Sequence, residues 1–297
     1  MNGKMPPYLE PLFRPPSEAR SLIFQITIGC SQNTCTFCGM YKGKRFRIKP
    51  LQDVINEITS IPAIYRQMVT RVFLADGDAL VYPFEGLLQI LDVLAATFPK
   101  LARIGSYASP ASIKTKNLEQ LEMLRNKKLR ILYFGLESGD DGALENIKKG
   151  FSSDDMANEA IKARSAGMKL SVTAILGLAG KGGTLLHARR TGEWVNRVSP
   201  EYFSLLTLFH RHNDDFVRSL EQCTHRELMV EAREMVSQMN NCSTILRSNH
   251  VSNFLNLEGT FPKDRTRVLG DIDAALEQAA RHPGFLDAVP EYSEEYY

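Results

Sequence analysis

Short apolar runs rich in β-formers recur along this chain, with amphipathic stretches between them. The runs are "SLIFQITI" (21–28), "RVFLA" (71–75), "ARIGSY" (102–107), "RILYFGL" (130–136), "KLSVTAIL" (169–176) and "YFSLLTL" (202–208). Between them, hydrophobic residues fall at helical spacing over 51–60, 85–98, 116–126, 140–149, 153–166 and 183–196. Strands that are apolar throughout, rather than alternating, are those covered on both faces, and their alternation with helices predicts parallel pairing. Caps agree: Ser153 precedes an acidic first turn at Asp154 and Asp155, and Gly167 follows the last turn of the same helix. Six such units predict an α/β fold, a partial (β/α)6 TIM-like barrel rather than the full eight.

The rhythm also sets the expected divisions. Residues 1–21 are Pro-rich and aperiodic and read as a surface arm, 22–210 as the barrel core, and 211–297 as a C-terminal α-rich extension. In the extension, 224–240 and 264–281 read as helices, with "STILRSNHVSNFLNLEG" (243–259) as a strand and loop between them. A hydrophobic fraction of 43% with net charge +2 describes an ordinary soluble protein with no strong electrostatic claim on nucleic acid or membrane. With no apolar leader and no long uncharged apolar run, the chain reads as cytoplasmic, where thiols stay reduced. Five cysteines are then a poor disulfide framework, and metal or redox chemistry is the better reading.

Three of the five, Cys30, Cys35 and Cys38, sit within nine residues of "ITIGCSQNTCTFCGMYKGKRFRIKP" (26–50), directly after the first strand. Thiolates select zinc or iron–sulfur clusters. Zinc remains open, with Cys223, His225 or Cys242 supplying a fourth ligand. A thioredoxin-like CxxC fits less well, because no helix opens at the motif and Cys30 would be unexplained. A 4Fe–4S cube normally takes four cysteines, so three leave one iron open to a substrate. Phe37, just before the last cysteine, would shield one flank of such a cluster.

This loop, ending aromatic-then-cysteine after the first barrel strand, resembles the radical S-adenosylmethionine (SAM) superfamily over roughly 20–210. The likeness is strongest to the oxygen-independent coproporphyrinogen oxidases and related Fe–S oxidoreductases. The first gap holds four residues where the commonest spacing holds three. The resemblance implies a 4Fe–4S cluster on the three cysteines and SAM on the exits of later strands. In "LADGDAL" (74–80), Gly77 and Asp78 would receive the methionyl amine, with Asp76 in place of a glycine. In "FGLESGDDGALENIKKG" (134–150), Glu137 would hold the ribose and Lys149, twelve residues on, the carboxylate. "TAILGLAGKGGT" (173–184) fits the adenine turn, with Thr173 at a ribose-contacting position. Phe37, Ser109, Ser138, Gly177 and Leu178 complete the implied cofactor-binding set. On the residues alone, Glu137 could equally cap the following helix and Lys149 complement its dipole.

Such chemistry needs an electron at low potential, about −400 mV or below for such clusters. No second cluster motif exists, so a flavodoxin or ferredoxin is the expected donor, steered by the basic run "KGKRFRIK" (42–49). Tyr41 and Phe46 are too few to stack RNA there, so nucleic acid is not expected. A small-molecule substrate is expected, with Tyr107, His210 and His212 as candidate catalytic residues and Arg211, Asp214 and Asp215 beside them. His250 and Asn253 are weaker substrate candidates. Other readings are radical modification of tRNA or a peptide, a cluster-bearing haem carrier, and a zinc-stabilised structural protein.

Overall fold

In the computed structural model, which describes residues 8–209, 212–282 and 284–290, the six apolar runs are strands. The chain divides into two compact units interleaved along the sequence. One holds the residues up to Asn33, Met40–Phe134 and Glu159–Leu170; the other holds Thr34–Gly39, Gly135–Asn158 and everything from Ser171.

The first unit contains β1 (Leu22–Gln25), β2 (Thr27–Ile28), β3 (Arg47–Ile48), α1 (Leu51–Ser60), α2 (Ala63–Arg66), β4 (Arg71–Ala75), α3 (Phe84–Thr97), β5 (Arg103–Ala108), α4 (Pro110–Lys114), α5 (Leu118–Asn126) and the body of β6 (Leu129–Glu137). β1, β4, β5 and β6 pair in parallel, with Phe24 opposite Leu74, Val72 opposite Ile104 and Tyr107 opposite Tyr133. Four of the five β4 residues are buried, as expected of a strand covered on both faces. α3 buries Leu87, Ile90, Leu91 and Leu94, one stripe at helical spacing.

Two expectations change here. The run 21–28 is not one strand: β1 stops at Gln25, and Thr27–Ile28 pair antiparallel with Arg47–Ile48 as a separate ribbon. Nor is the Pro-rich arm simply surface. Gln25 bonds both ways with the Leu9 backbone, at 2.9 and 3.0 Å. Glu18 is fully buried, accepting from Arg103 Nη2 at 2.8 Å and Tyr133 Oη at 2.6 Å. A carboxylate in that position is tolerable only because it is paired, and its burial fastens the arm.

The second unit contains the end of β6, α6 (Asp141–Asn146), the start of α7 (Ser153–Ser165), most of β7 (Lys169–Leu176), α8 (Gly180–Val198), β8 (Tyr202–Thr207), α9 (Asp214–Arg218), α10 (His225–Gln238), β9 (Thr244–Ser248), β10 (Leu257–Phe261) and α11 (Arg265–Ala280). β7 pairs in parallel with β8, and β8 with β9. The region expected as strand and loop is a hairpin instead, β10 returning antiparallel to β9. Among the described residues, eight strands form one mostly parallel sheet, ordered β1-β4-β5-β6-β7-β8-β9-β10. Six of them are the βα strands expected of a partial (β/α)6 barrel.

The cap of α7 is Ser152 rather than Ser153: its Oγ accepts from Asp155 N at 3.1 Å and donates to that carboxylate. α6 ends at Asn146, earlier than the periodicity implied, and closes with Lys148 in the left-handed region (φ 54°). Lys149 N then donates to Leu144 O, and Lys148 N to Glu145 O, the paired bonds of a Schellman ending. Among the described residues, no helix is long and apolar enough to cross a membrane.

Candidate functional site

Within the first unit, the exits of β1, β4 and β5 are tied together by polar contacts. Gly29, left-handed at φ +75°, turns the chain towards Cys30, and its N–H donates to Asp76 Oδ2 at 2.8 Å. Asp76 is fully buried and paired with Lys44 at 3.1 Å. Lys44, expected among the cations that steer an electron donor, is therefore buried instead, and it also donates to the Leu9 and Pro11 carbonyls. Tyr41, counted from sequence as a stacking aromatic, is buried as well. Gly77 fits so closely that a Cβ there would lie 2.8 Å from Cys30 Cβ and from the Tyr41 ring. Asp78 is buried and accepts from Ser31 Oγ, Ser109 N (3.1 Å) and Ser109 Oγ (2.7 Å). Ser109 also caps α4 through a capping box with Ser112. Tyr107 packs edge-on to Phe73 at 5.0 Å, and burial, reinforced by Tyr133 and Asp76, raises its phenol pKa.

Within the second unit, Cys35, Phe37 and Cys38 lie on a short segment held at two points. Thr36 N donates to Ile147 O at 3.0 Å, and Asn213 Nδ2 donates to Phe37 O at 2.7 Å. Glu137 ends β6 with φ +65°, a conformation that costs a non-glycine residue about 1–3 kcal/mol. Its Oε1 lies 3.0 Å from Lys149 Nζ, both side chains largely buried. The α6 cap is Asp140, whose Oδ2 accepts from Ala143 N at 2.9 Å. Glu137 is thus free of the capping role, and Lys149 lies beyond the helix it might have terminated. Ser138 is fully buried, its Oγ 2.7 Å from His187 Nδ1. Thr173 is half-buried on β7, Gly177 is left-handed at φ +79°, and Leu178 is buried.

Of the expected substrate residues, His212, Asp214 and Asp215 are exposed, while His210 and Arg211 lie outside the described residues. His250 and Asn253 instead build the turn after β9: His250 Nδ1 meets Ser252 Oγ at 2.8 Å, and Asn253 Nδ2 donates to Leu205 O at 2.7 Å. Burial lowers the His250 pKa.

All five cysteines are thiols rather than disulfides. Cys30, Cys35 and Cys38 are half-buried, whereas Cys223 and Cys242 are buried. Burial, with the Glu231 and Glu227 carboxylates, pushes the Cys223 thiol up to about 12, and burial raises Cys242 too. Such thiols resist becoming the thiolates that metals need. Among the described residues, no three His, Cys, Asp or Glu side chains converge as a single-ion site. An iron–sulfur cube is different, since each cysteine takes its own iron, and three partly accessible thiols on one stretch suit it.

Sequence reasoning missed the Lys44–Asp76 pair, the Glu18 anchor, and a buried set formed by Ser138, His187 and Glu231. No periodicity marks a charged residue that is buried by its partners from distant elements. A signal for one of them is Asp76, an acid placed directly after the apolar body of β4.

Residues 24–183 match the Radical SAM superfamily. A protein of Methanocaldococcus jannaschii, named provisionally as a methylthiotransferase, is 25% identical over 153 residues, 50% of this chain and 33% of its own length. Heme chaperone HemW of Bacillus subtilis is 21% identical over 189 residues, 62% of this chain and 49% of its own. The chain thus spans between a third and a half of the length of these curated relatives. In fold, coproporphyrinogen III oxidase (HemN) from Escherichia coli superposes with a TM-score of 0.57 at 15% identity, covering 74% of this chain and 52% of that one.

Proposed function

Because the chain belongs to the radical SAM superfamily, whose members use a 4Fe–4S cluster and SAM, we propose that it is a radical SAM enzyme acting on a small molecule. The observation that carries this reading is the placing of Cys30, Cys35 and Cys38 as half-buried thiols directly after the first parallel strand. When bound on Cys30, Cys35 and Cys38, the cluster would supply one-electron reductive cleavage of SAM, and with it the means to take a hydrogen atom from a substrate.

The chain's own residues orient and enclose. Cys30, Cys35 and Cys38 would hold the cluster, and Phe37, half-buried between the last two, would shield it from water. Gly77, packed so closely on Cys30 and Tyr41 that only glycine fits, would present its backbone to the methionyl amine, and Asp78, already bonded to Ser31 and Ser109, fixes that turn. Glu137 accepts the ribose hydroxyls and Lys149 pairs with the carboxylate, both charge-assisted contacts. Thr173, Gly177 and Leu178 form the adenine side. Tyr107, half-buried and packed edge-on to Phe73, is the candidate for contact with substrate in the first unit. Lys42, Arg45 and Arg47 are exposed and suit an acidic flavodoxin or ferredoxin, and we place the protein in the cytoplasm.

The test is anaerobic reconstitution, iron analysis, and reduction with dithionite in the presence of SAM. About four irons per chain and 5′-deoxyadenosine by mass spectrometry are expected. A brown, four-iron protein that never cleaves SAM would instead favour the haem-carrier reading, which likeness to HemW supports.

A further inference from the structure

Ser138, His187 and Glu231 come from three separate elements, and each is fully excluded from solvent. Polar side chains at such depth cost free energy unless they are satisfied, and satisfied networks hold their surroundings in one arrangement. Here the bonds reach two chain turns. Ser138 follows Glu137 at the exit of β6; its Oγ accepts from Asp140 N at 2.9 Å and meets His187 Nδ1 at 2.7 Å. His187 lies on α8, with Nε2 3.2 Å from Glu231 Oε1 on α10. The ring nitrogen and the carboxylate are in contact at that separation without forming an aligned hydrogen bond. Both oxygens of Glu231 accept from the single N–H of Gly177, each at 3.1 Å, at the exit of β7.

The surrounding backbone is fitted to this chain of contacts. Thr191, one turn beyond His187, accepts from Gly139 N at 2.9 Å and donates to His187 O at 2.7 Å. Gly139 is pressed so closely on α8 that a Cβ would lie 2.4 Å from Arg190 O. α8 and α10 meet equally closely: a Cβ on Gly192 would lie 2.8 Å from Met235 O. Both turns also carry left-handed residues, Glu137 (φ +65°) and Gly177 (φ +79°). Such conformations persist at non-glycine positions only where neighbours hold them.

We propose that Ser138, His187 and Glu231 are positioning residues for SAM: the imidazole fixes the turn that presents Glu137, the carboxylate fixes the turn at Gly177, and the contact between them sets the two turns relative to each other. This inference rests on the proposal that those turns bind SAM. Ser138, which the resemblance counts in the cofactor-binding set, is as fully excluded from solvent as His187 and Glu231, so the role proposed for all three is to position the turns rather than to touch the ligand. Their effect is to hold its two sides at a fixed separation before it arrives, so that no ordering cost falls on binding.

The experiment uses the full chain, reconstituted with iron and sulfide, in the forms His187→Ala, His187→Asn and Glu231→Gln. Three quantities are read: iron per chain, SAM affinity by calorimetry, and amide hydrogen exchange in peptides covering 137–140 and 176–180. For His187→Ala, wild-type iron is expected, with SAM bound at least tenfold more weakly and faster exchange in both peptides. His187→Asn, whose amide oxygen can still accept from Ser138, should restore slow exchange at 137–140 while leaving 176–180 fast. Glu231→Gln should weaken SAM too, and its effect should be less than additive with that of His187→Ala, because both cut one chain. A loss of melting temperature with unchanged SAM affinity would make the contacts purely structural and overturn the inference. Should His187→Ala fail to fold, the Asn and Gln variants carry the same test. If Glu137→Ala and Lys149→Ala weaken SAM binding while the His187 variants do not, the positioning role alone fails; if all bind SAM normally, the underlying site assignment fails with it.

Discussion

Glu137 Oε1 and Lys149 Nζ are 3.0 Å apart, brought together by a left-handed residue at the end of β6 and by the Schellman ending of α6. The Lys149 N–H closes α6 by donating to Leu144 O, but the side chains of both residues turn to each other. A largely buried ion pair at a strand exit gains most when a ligand with complementary charge joins it, because each group is already desolvated. Glu137→Ala and Lys149→Ala should each weaken SAM binding ten- to a hundredfold, the equivalent of about 1.5–3 kcal/mol for charged hydrogen bonds. Iron content should stay at the wild-type level. Calorimetry on the reconstituted variants decides, and unchanged affinity in both would remove these residues from the site.

Replacing Cys30, Cys35 or Cys38 by Ala should leave less than stoichiometric iron in each case. The double variant Cys223→Ser and Cys242→Ser should keep both iron and SAM cleavage. The Cys223 thiol, raised to about 12, should also resist iodoacetamide at neutral pH in the folded apoprotein, while the three loop cysteines react. Mapping of alkylated peptides by mass spectrometry reads this directly. Labelling of Cys223 at the rate of the loop cysteines would contradict it.

Gly77→Ala puts a methyl 2.8 Å from Cys30 Cβ and from the Tyr41 ring, and neither neighbour is the loose end of a flexible chain. Overpacking of this kind costs about 1–3 kcal/mol. The variant should melt lower and, because Cys30 must shift, take up less iron. Normal iron with a lowered melting temperature would mean that the loop relaxes without disturbing the thiol.

Lys116 is buried and donates to Leu80 O at 2.7 Å. Burial, only partly opposed by Asp78, lowers its pKa from 10.5 to about 8. Between those values the unfolded chain holds a proton that the folded chain has released, so Lys116 makes folding more favourable as pH rises through that window. In Lys116→Met that gain is absent. The stability of the wild type relative to the variant should therefore rise by up to about 3 kcal/mol from pH 8 to pH 10.5. Urea denaturation at both ends measures it, and a difference that does not change with pH would count against the lowered pKa.

The βα alternation is legible in the chain, because a strand covered on both faces is apolar through its body, as at Val72–Ala75 of β4, and a helix covered on one face carries a stripe, as in α3. The thiol triplet is equally legible there, as three cysteines within nine residues directly after the first apolar run. Helix ends were legible only to within a few residues: the cap of α7 is Ser152 rather than its neighbour, and α6 stops three residues early, because caps depend on dihedral angles that composition does not carry. Only the tertiary structure decided which polar residues face inward. Lys44 belongs to an exposed basic run and is nonetheless buried by Asp76; Glu18 sits in a Pro-rich arm and is buried by Arg103 and Tyr133; His187 and Glu231 stand in ordinary amphipathic helices and meet across α8 and α10. A charge is buried when partners from distant elements arrive to satisfy it, and that arrival is a property of packing, absent from any local pattern of residues.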